Sequence, residues 1–417
     1  MPLKVLSIFG TRPEAIKLAP VIKALEGRPF GELTSTALSV SAPLRQGKPR
    51  EFISRVCVTG QHRELLDPVL RLFDIQPDYD LAVMQPDQSL FSLTARVLTG
   101  LESVLAKEKP DWVLVQGDTT TTLAASLAAY YARASVAHVE AGLRSHDPWQ
   151  PYPEEINRRL ADVLATLHFA PTEGARQNLL AEGIPDSRIR VTGNTVIDAL
   201  LEIAARPYDF TRGPLAGLPL GVNARGEPLD PEASGRRVIL VTAHRRESFG
   251  PPLRNLCRAI RTLAERYPRE VQIVFPVHLN PRVQQPVRQE LGHCPNIALL
   301  EPLDYEPFVH LMKRSALILS DSGGLQEEAP ALGVPVLVLR QVTERPEGVA
   351  AGSARVVGTE PEAIVSAAVR LLEDPQEHAQ MARSRNPYGD GQARYRIVAA
   401  LREYHREPVP APNPNPR

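Results

Sequence analysis

The sequence predicts an α/β protein with two doubly wound domains, each built on a parallel sheet. Short apolar runs alternate with helical patterns along the chain, and this alternation is typical of βαβ units. A stretch at 206–236 with five prolines interrupts the alternation and is predicted to be a linker between the domains. The length of 417 residues also exceeds what one ordinary core supports.

The elements of the first domain, predicted to span 1–205, follow in chain order. The apolar run at 4–9 leads into a helix at about 13–26, because Pro13 suits the first turn of a helix. Residues 31–54 have no clear periodicity and are predicted to be a surface insertion. Four more strands are predicted at 111–116, 135–140, 167–171 and 189–194.

The second domain is predicted to span 237–388, and its first strand lies at 237–242. A final helix at 389–406 is predicted to pack back on the first domain, and the proline-rich tail at 407–417 to be disordered. Open α/β sheets bind ligands beyond the carboxyl ends of their strands. The cleft between the two domains is therefore the expected ligand site.

Composition excludes several classes of protein. Lys plus Arg and Asp plus Glu both total 48, so the net charge is zero and nucleic-acid binding is disfavoured. No run of 18 apolar residues occurs, so no membrane span is expected. The N-terminal segment enters a strand pattern without a signal cleavage site, which favours a cytoplasmic protein. Three widely spaced cysteines favour neither disulfides nor a cysteine metal site.

Two turns between a strand and a helix are candidate anion sites. In FGTRPEAIKLAP, Gly10 opens a helix whose amides favour an anion, and Arg12 and Lys17 add positive charge. The alternative is an ordinary turn with exposed basic residues, because the motif is not a full G-x-G-x-x-G.

The second of these turns, SDSGGLQEEAP, lies in the second domain. Ser322, Gly323 and Gly324 let a ligand approach the backbone closely. Glu327 and Glu328 lie one turn further on, where a carboxylate can hold a ribose diol. Two such turns facing one cleft indicate a nucleotide-diphosphate ligand.

Three acidic positions are candidate proton carriers. Asp118 ends one strand, although the following threonine makes a helix N-cap the alternative. Glu140 ends the adjacent strand, where a carboxylate is costly unless it has a function. Glu154 and Glu155 precede two arginines, and their alternative reading is a helix start with salt bridges.

Basic residues end two strands of the second domain. His244 can serve as acid, base or phosphate donor, while Arg245 and Arg246 suit a diphosphate. His278 ends the next strand. Together with the carboxylates, this set suits a nucleotide-sugar enzyme that transfers protons and expels a phosphate leaving group.

Ten motifs occur in order along the chain and carry a family resemblance. They read FGTRPEAIKLAP, TGQHRELL, QGDTTTTLAASLAA, HVEAGLRS, PEEINRRLAD, TGNTVIDAL, TAHRRESFG, PVHLNP, LSDSGGLQEEAP and NPYGDGQA. From about residue 3 to 405, the chain resembles the bacterial non-hydrolysing UDP-N-acetylglucosamine 2-epimerases. The resemblance implies a GT-B fold with two Rossmann-like domains and a deep cleft, usually as a homodimer.

The same resemblance implies a reaction and its residues. UDP-N-acetylglucosamine and UDP-N-acetylmannosamine would interconvert by elimination of UDP and re-addition, through 2-acetamidoglucal, without metal or nicotinamide. The implied catalytic residues are Asp118, Glu140, Glu154 and His244. The implied substrate-binding residues are Arg12, Lys17, Phe308 through its backbone, Ser322, Gly323, Gly324, Glu328 and Arg345.

The chain departs from the family pattern at several positions. The 31–54 insertion is longer than the family connection, and Leu303 stands where relatives often carry Gln near the uracil. Members also bind UDP-N-acetylglucosamine as an allosteric activator. Gln61, Arg246 and His278 match that pattern, but Asp87 stands where some relatives have Arg.

Four alternative functions stay open at this point. A hydrolysing relative would release UDP and free N-acetylmannosamine, and another relative would act on a diacetamido uronic sugar nucleotide. A GT-B glycosyltransferase would need an open acceptor groove rather than proton carriers around the sugar, since fold is not function. A non-catalytic sugar-nucleotide binder would lose no turnover when Asp118 or Glu140 is replaced.

Overall fold

The computed structural model describes residues 2–28, 51–60, 63–85, 88–221, 236–243, 245 and 249–406. Contacts divide the chain into two compact units. The first unit comprises Met1–Ala199 and Gly391–Arg417, and the second comprises Leu200–Asp390. Each unit contains one parallel sheet with surrounding helices, so the predicted class, with two Rossmann-like domains, is confirmed.

The first unit is built on seven parallel strands in the order β3-β2-β1-β4-β5-β6-β7. The strands are β1 Leu3–Phe9, β2 Phe52–Val58, β3 Tyr79–Asp80, β4 Trp112–Gln116, β5 Ser135–Val139, β6 Leu167–Ala170 and β7 Ile189–Val191. The described helices are α1 Arg12–Leu25, α2 Arg63–Leu72, α3 Leu90–Glu108, α4 Thr120–Tyr131, α5 Glu154–Leu164, α6 Glu173–Ala181 and α7 Thr195–Ala205, and α7 continues into the second unit after Ala199. The strand order reverses at β1 and β4, which places a switch point, the usual ligand position, between their carboxyl ends.

Part of the predicted insertion is a strand. Residues 29–50 lie outside the described residues, but 52–54 open β2, where Phe52 is buried and pairs with Leu3 of β1. The expectation that 31–54 is a surface insertion is therefore wrong for these three residues. The single apolar Phe52–Ile53 pair was too short to show a strand period.

The second unit has six parallel strands in the order β10-β9-β8-β11-β12-β13. The strands are β8 Arg237–Thr242, β9 Val271–Pro276, β10 Ile297–Leu300, β11 Ser315–Ser320, β12 Val336–Val338 and β13 Ala354–Val356. Its helices within the described residues are α8 Pro251–Arg266, α9 Pro281–Leu291, α10 Tyr305–Arg314, α11 Gly323–Ala331, α12 Pro346–Ala350, α13 Pro361–Glu373 and α14 Pro375–Ala382. Its switch point lies between β8 and β11, which carry Arg245 and Ser322 just beyond their ends.

The last helix, α15 Ala393–Arg406, belongs to the first unit and packs against α1. The buried Asp198 of α7 accepts hydrogen bonds from the amides of Ala393 (3.2 Å) and Arg394 (3.1 Å). A side chain from elsewhere in the fold thus satisfies the first amides of α15. Over the described residues, every helix is too short or too polar to span a bilayer.

Candidate active site

Glu140 lies at the centre of the polar groups in the first unit. Its Oε2 atom accepts hydrogen bonds from Lys17 Nζ (2.5 Å), Gln116 Nε2 (3.1 Å) and Asn194 Nδ2 (3.2 Å). The motifs predicted Glu140 and Lys17 separately, and the fold brings them into an ion pair. Sequence reasoning missed Gln116 and Asn194, although each lies at or just after the end of a strand.

The backbone at Glu140 is itself unusual. Its φ is 67°, in the left-handed region that glycine favours and other residues occupy at a cost of about 1 to 3 kcal/mol. β5 ends at Val139, one residue earlier than predicted. The side chain of Glu140, the residue with the left-handed backbone, lies against Lys17 of α1. Strain of this kind persists only where surrounding contacts hold it, and here three donors do so.

Asp118 follows the adjacent strand, after a left-handed turn at Gly117. Its carboxylate pairs with Arg158, and its backbone carbonyl accepts a hydrogen bond from Asn157 Nδ2 (3.0 Å). The alternative that Asp118 caps a helix is wrong. Thr119 is the N-cap of α4, because its hydroxyl accepts the amide of Thr122 (3.1 Å).

The two glutamates at the start of α5 have different environments. Glu154 is the first residue of the helix and is partly exposed. Glu155 is buried and accepts hydrogen bonds from the amides of Ser145 (3.0 Å) and His146 (3.3 Å) and from Arg158 (3.2 Å). Glu155 therefore holds the loop after β5.

The first predicted anion turn is occupied by a side chain of the protein. The carboxylate of Glu14 accepts the amides of Gly10 (3.1 Å) and Thr11 (2.7 Å), and also the hydroxyl of Thr119 (2.7 Å). These two amides cannot also hold a phosphate, so the anion-turn hypothesis is wrong for them. Burial raises the pKa of Glu14, while these hydrogen bonds oppose that shift. Arg12, the first residue of α1, is half-buried.

The second turn, after β11, has a different arrangement. Ser322 is the N-cap of α11, and Gly323 and Gly324 form its first turn. A Cβ atom at Gly323 would lie 3.1 Å from Glu344 Oε1, so glycine allows Glu344 to approach the turn. Glu344 pairs with Arg245 and Arg340, and although burial alone would raise the pKa of Glu344, the two guanidinium groups lower it.

The two glutamates of α11 also differ. Glu328 is half-buried, and its Oε1 would lie 3.3 Å from a Cβ atom at Gly324. The Tyr305 hydroxyl donates to Glu328 Oε2 over 3.5 Å. Glu327 is buried and pairs with Arg345, so this predicted binding arginine is also part of an internal ion pair.

Phe308 does not offer its amide to a ligand. It lies half-buried on α10, and its backbone N–H donates to the carbonyl of Asp304 (3.1 Å) within the first turn. The helix therefore uses this N–H, and the contact of uracil with the Phe308 backbone stays a prediction. Leu303, just before the helix, is buried. His278 is exposed, and its Nδ1 accepts the amide of Asn280 (3.1 Å).

The sequence profile of a family described as UDP-N-acetylglucosamine 2-epimerase matches residues 46–402. The chain belongs to this family. The enzyme of that name from Salmonella typhimurium is 52% identical over 404 residues, covering 96% of this chain and 99% of the relative. The enzyme of that name from Escherichia coli strain K12 is 52% identical over 402 residues, covering 96% and 98%. The family resemblance found in the motifs is thereby confirmed.

Solved structures of the epimerase family share the fold. The Neisseria meningitidis UDP-GlcNAc 2-epimerase bound to UDP-GlcNAc is 46% identical, with a TM-score of 0.79 over 96% of this chain and 100% of that one. The Methanocaldococcus jannaschii enzyme in complex with UDP-GlcNAc and UDP is 35% identical, with a TM-score of 0.72 over 96% and 99%. These structural neighbours confirm the expected GT-B class.

Four residues discussed from the sequence of this epimerase-family chain lie outside the described residues. They are Gln61, Asp87, His244 and Arg246. Arg245, between two of them, is described, and its amide donates to the carboxylate of the buried Asp321 (3.0 Å). Within the described ranges, no three His, Cys, Asp or Glu side chains are placed to share a metal ion.

Proposed function

We propose that this protein catalyses the reversible epimerisation of UDP-N-acetylglucosamine at carbon 2, giving UDP-N-acetylmannosamine. The observation that carries the proposal is the strained Glu140 paired with Lys17, one strand away from Asp118, in a chain of the 2-epimerase family. Carboxylates placed beyond neighbouring strands are the groups that proton transfer at a sugar carbon needs.

The proposed route is elimination followed by re-addition. A carboxylate removes the proton from carbon 2, and that C–H electron pair forms a double bond between carbons 1 and 2. The bond from carbon 1 to the diphosphate oxygen breaks, and its electrons leave with UDP. In the return step the diphosphate oxygen attacks carbon 1, and a second carboxylic acid delivers a proton to the opposite face of carbon 2. Asp118, Glu140 and Glu154 are the proposed proton carriers.

The nucleotide is assigned to residues of the second unit. The amides of Gly323 and Gly324 open α11, and the first amides of a helix favour a diphosphate. We assign the ribose hydroxyls to Glu328 and further phosphate contacts to Arg345 and His244. These donors would stabilise the negative charge that develops on the departing diphosphate. This stabilisation is greatest in the transition state.

Proton NMR in deuterated water tests the proposal. The protein with UDP-N-acetylglucosamine should yield UDP-N-acetylmannosamine carrying deuterium at carbon 2. Free N-acetylmannosamine with UDP would instead show a hydrolysing enzyme. An absence of exchange, with transfer of the sugar to an acceptor, would favour the glycosyltransferase. Turnover confined to a diacetamido uronic sugar nucleotide would change the substrate and keep the chemistry.

We further propose that the protein is a cytoplasmic homodimer that UDP-N-acetylglucosamine also activates allosterically. Apolar side chains on one helix face support the dimer: Ile156, Leu160 and Val163 of α5 are all exposed at helical spacing. Gln61, Arg246 and His278 are the proposed activator contacts. Sedimentation equilibrium tests the dimer, and cell fractionation tests the cytoplasmic location. The dependence of rate on substrate concentration tests the allosteric activation.

A further inference from the structure

A buried histidine adjoins the carboxylate-bearing turns and has no role in the reaction described above. His138 lies on β5, two residues before Glu140, and its side chain is fully buried. Its Nδ1 atom is 2.6 Å from Asp162 Oδ1, and its Nε2 atom is 2.7 Å from the carbonyl oxygen of Gly117. Both distances are those of strong hydrogen bonds.

The two partners determine the protonation of the ring. A backbone carbonyl only accepts, so Nε2 must carry a proton. The Asp162 carboxylate also accepts from Arg144 (2.7 Å) and from the amide of Gly142 (3.3 Å), which favours its ionised form. Nδ1 therefore donates to it as well. With both nitrogens protonated, His138 is a buried imidazolium.

The charges around the ring agree with this state. Burial alone would lower the pKa of His138, but the adjacent Asp162 charge and the two hydrogen bonds raise it overall. Burial favours neutral Asp162, yet the charges of His138 and Arg144 hold its pKa below the ordinary value. Arg144 pairs in turn with Glu182, and His168 of β6 lies beside His138 in register.

This one ring connects the segments that carry all three proposed proton carriers. Gly117 immediately precedes Asp118, and His138 shares a strand end with Glu140. Asp162 lies on α5, the helix that begins at Glu154. We propose that protonated His138 is a positioning residue, which fixes the relative placement of Asp118, Glu140 and Glu154 through its bonds to Gly117 and Asp162. The inference rests on the proposed epimerase function.

A purely structural role would not need this arrangement. A buried ion pair is often no more stabilising than well-packed apolar side chains of the same volume. His168 makes the comparison within the same sheet. Its Nε2 donates to the carbonyl of Asp162 (2.8 Å), but its Nδ1 lies 3.3 Å from the carbonyl of Arg188, beyond the usual range for a hydrogen bond. Neither of these two contacts is with a carboxylate, and burial lowers the pKa of His168. Of the two histidines, it is the charged His138 that bonds to Gly117, just before Asp118, and to Asp162 of the helix that begins at Glu154.

Nitrogen-15 NMR of the histidine rings in the wild-type protein tests the protonation directly. At about pH 8, above the ordinary histidine pKa of 6.5, both ring nitrogens of His138 should show protonated shifts. The His168 ring should show one protonated nitrogen, because its Nδ1 contact is long and burial lowers its pKa. A His138 ring with a single protonated nitrogen would overturn the inference, whatever the enzyme's activity.

The positioning role is tested with His138→Gln, and His168→Gln is the matched control. We expect His138→Gln to lower kcat on the order of 10²-fold, as small displacements of reacting groups do, with UDP affinity unchanged. His168→Gln should retain kcat even at an equal loss of thermal stability. Asp162→Asn should reproduce the loss of kcat, and adding it to His138→Gln should cost little more.

Three results would overturn the positioning role. They are a normal kcat in His138→Gln, an equal loss of kcat in His168→Gln, and a loss confined to KM. Wild-type protein without activity on UDP-N-acetylglucosamine would contradict the proposed function instead, and the ring spectrum would still decide the protonation of His138.

Discussion

At the scale of single residues, Glu140 combines three features that rarely occur together. It has a left-handed backbone, an ion pair with Lys17 and two amide donors on the same oxygen. Its side chain is only 9% exposed, so these interactions act with little screening by water. A carboxylate kept in one orientation beside an ammonium group is suited to accept a proton from a fixed direction.

Replacing Glu140 with Gln tests this role. The substitution keeps the shape but removes the carboxylate charge that would accept the proton and that pairs with Lys17. We expect turnover to fall on the order of 10²- to 10⁴-fold, while UDP binding persists because the proposed nucleotide contacts lie in the second unit. Deuterium exchange at carbon 2 and titration calorimetry with UDP measure the two quantities.

An exposed carboxylate serves as the control for that variant. Glu173 of α6 pairs with Arg176 at the surface, and Glu173→Gln should leave turnover unchanged. Near-normal exchange in Glu140→Gln would remove this residue from the proton-transfer step. A loss of UDP binding equal to the loss of turnover would show a binding defect instead.

At the scale of elements, the sequence predicts strands and helices better than it predicts what fills a turn. The turns after β1 and β11 have similar sequence patterns, but their amides have different surroundings. In the first turn the Glu14 carboxylate accepts the amides, whereas in the second two glycines begin the helix. Thr11-x-x-Glu14 is a capping-box pattern that shows the difference in advance. No local pattern predicts that Asn194, 54 residues from Glu140, reaches its carboxylate, because strand order decides it.

The turn after β5 offers a test at this scale. Gly142 has φ 84°, and a Cβ atom there would lie 2.8 Å from Leu179 Cγ and closer still to the Ala175 carbonyl oxygen. Gly142→Ala should therefore push the Glu140 turn away from α6. Gly183 also has φ 84° but has no atom within 4 Å of the Cβ position, so Gly183→Ala carries only the backbone strain.

The difference between these two alanine variants isolates the steric clash. Gly142→Ala should lower the free energy of unfolding by about 1 to 3 kcal/mol more than Gly183→Ala, and it alone should reduce turnover. Denaturant unfolding and the exchange assay measure both effects. Equal losses in the two variants would show that α6 moves aside without disturbing Glu140.

At the scale of the whole molecule, the chain leaves the first unit after Ala199 and returns to it at Gly391. Within the first unit, the residues next to these two positions are hydrogen-bonded to each other, because the carboxylate of Asp198 accepts the first amides of α15. The Arg394 guanidinium lies 3.4 Å from the same carboxylate, and both side chains are buried. A proline-rich break predicted a change of domain near residue 206, but sequence alone could not show which side chain meets the returning segment.

Asp198→Ala tests how far this one carboxylate holds α15 in place. The variant removes the carboxylate that two amides and the buried Arg394 guanidinium share, so the first unit should lose about 3 kcal/mol of stability. Both tryptophans of the chain, Trp112 and Trp149, belong to the first unit, and Trp112 packs edge-on against Tyr404 of α15. Tryptophan fluorescence during denaturant unfolding therefore follows this unit alone.

The midpoint of this fluorescence transition should fall in Asp198→Ala. It should stay in place in the control Asp186→Ala, which removes an exposed ion pair with Arg176. An unchanged midpoint would show that the packing of α15 on α1 suffices without Asp198.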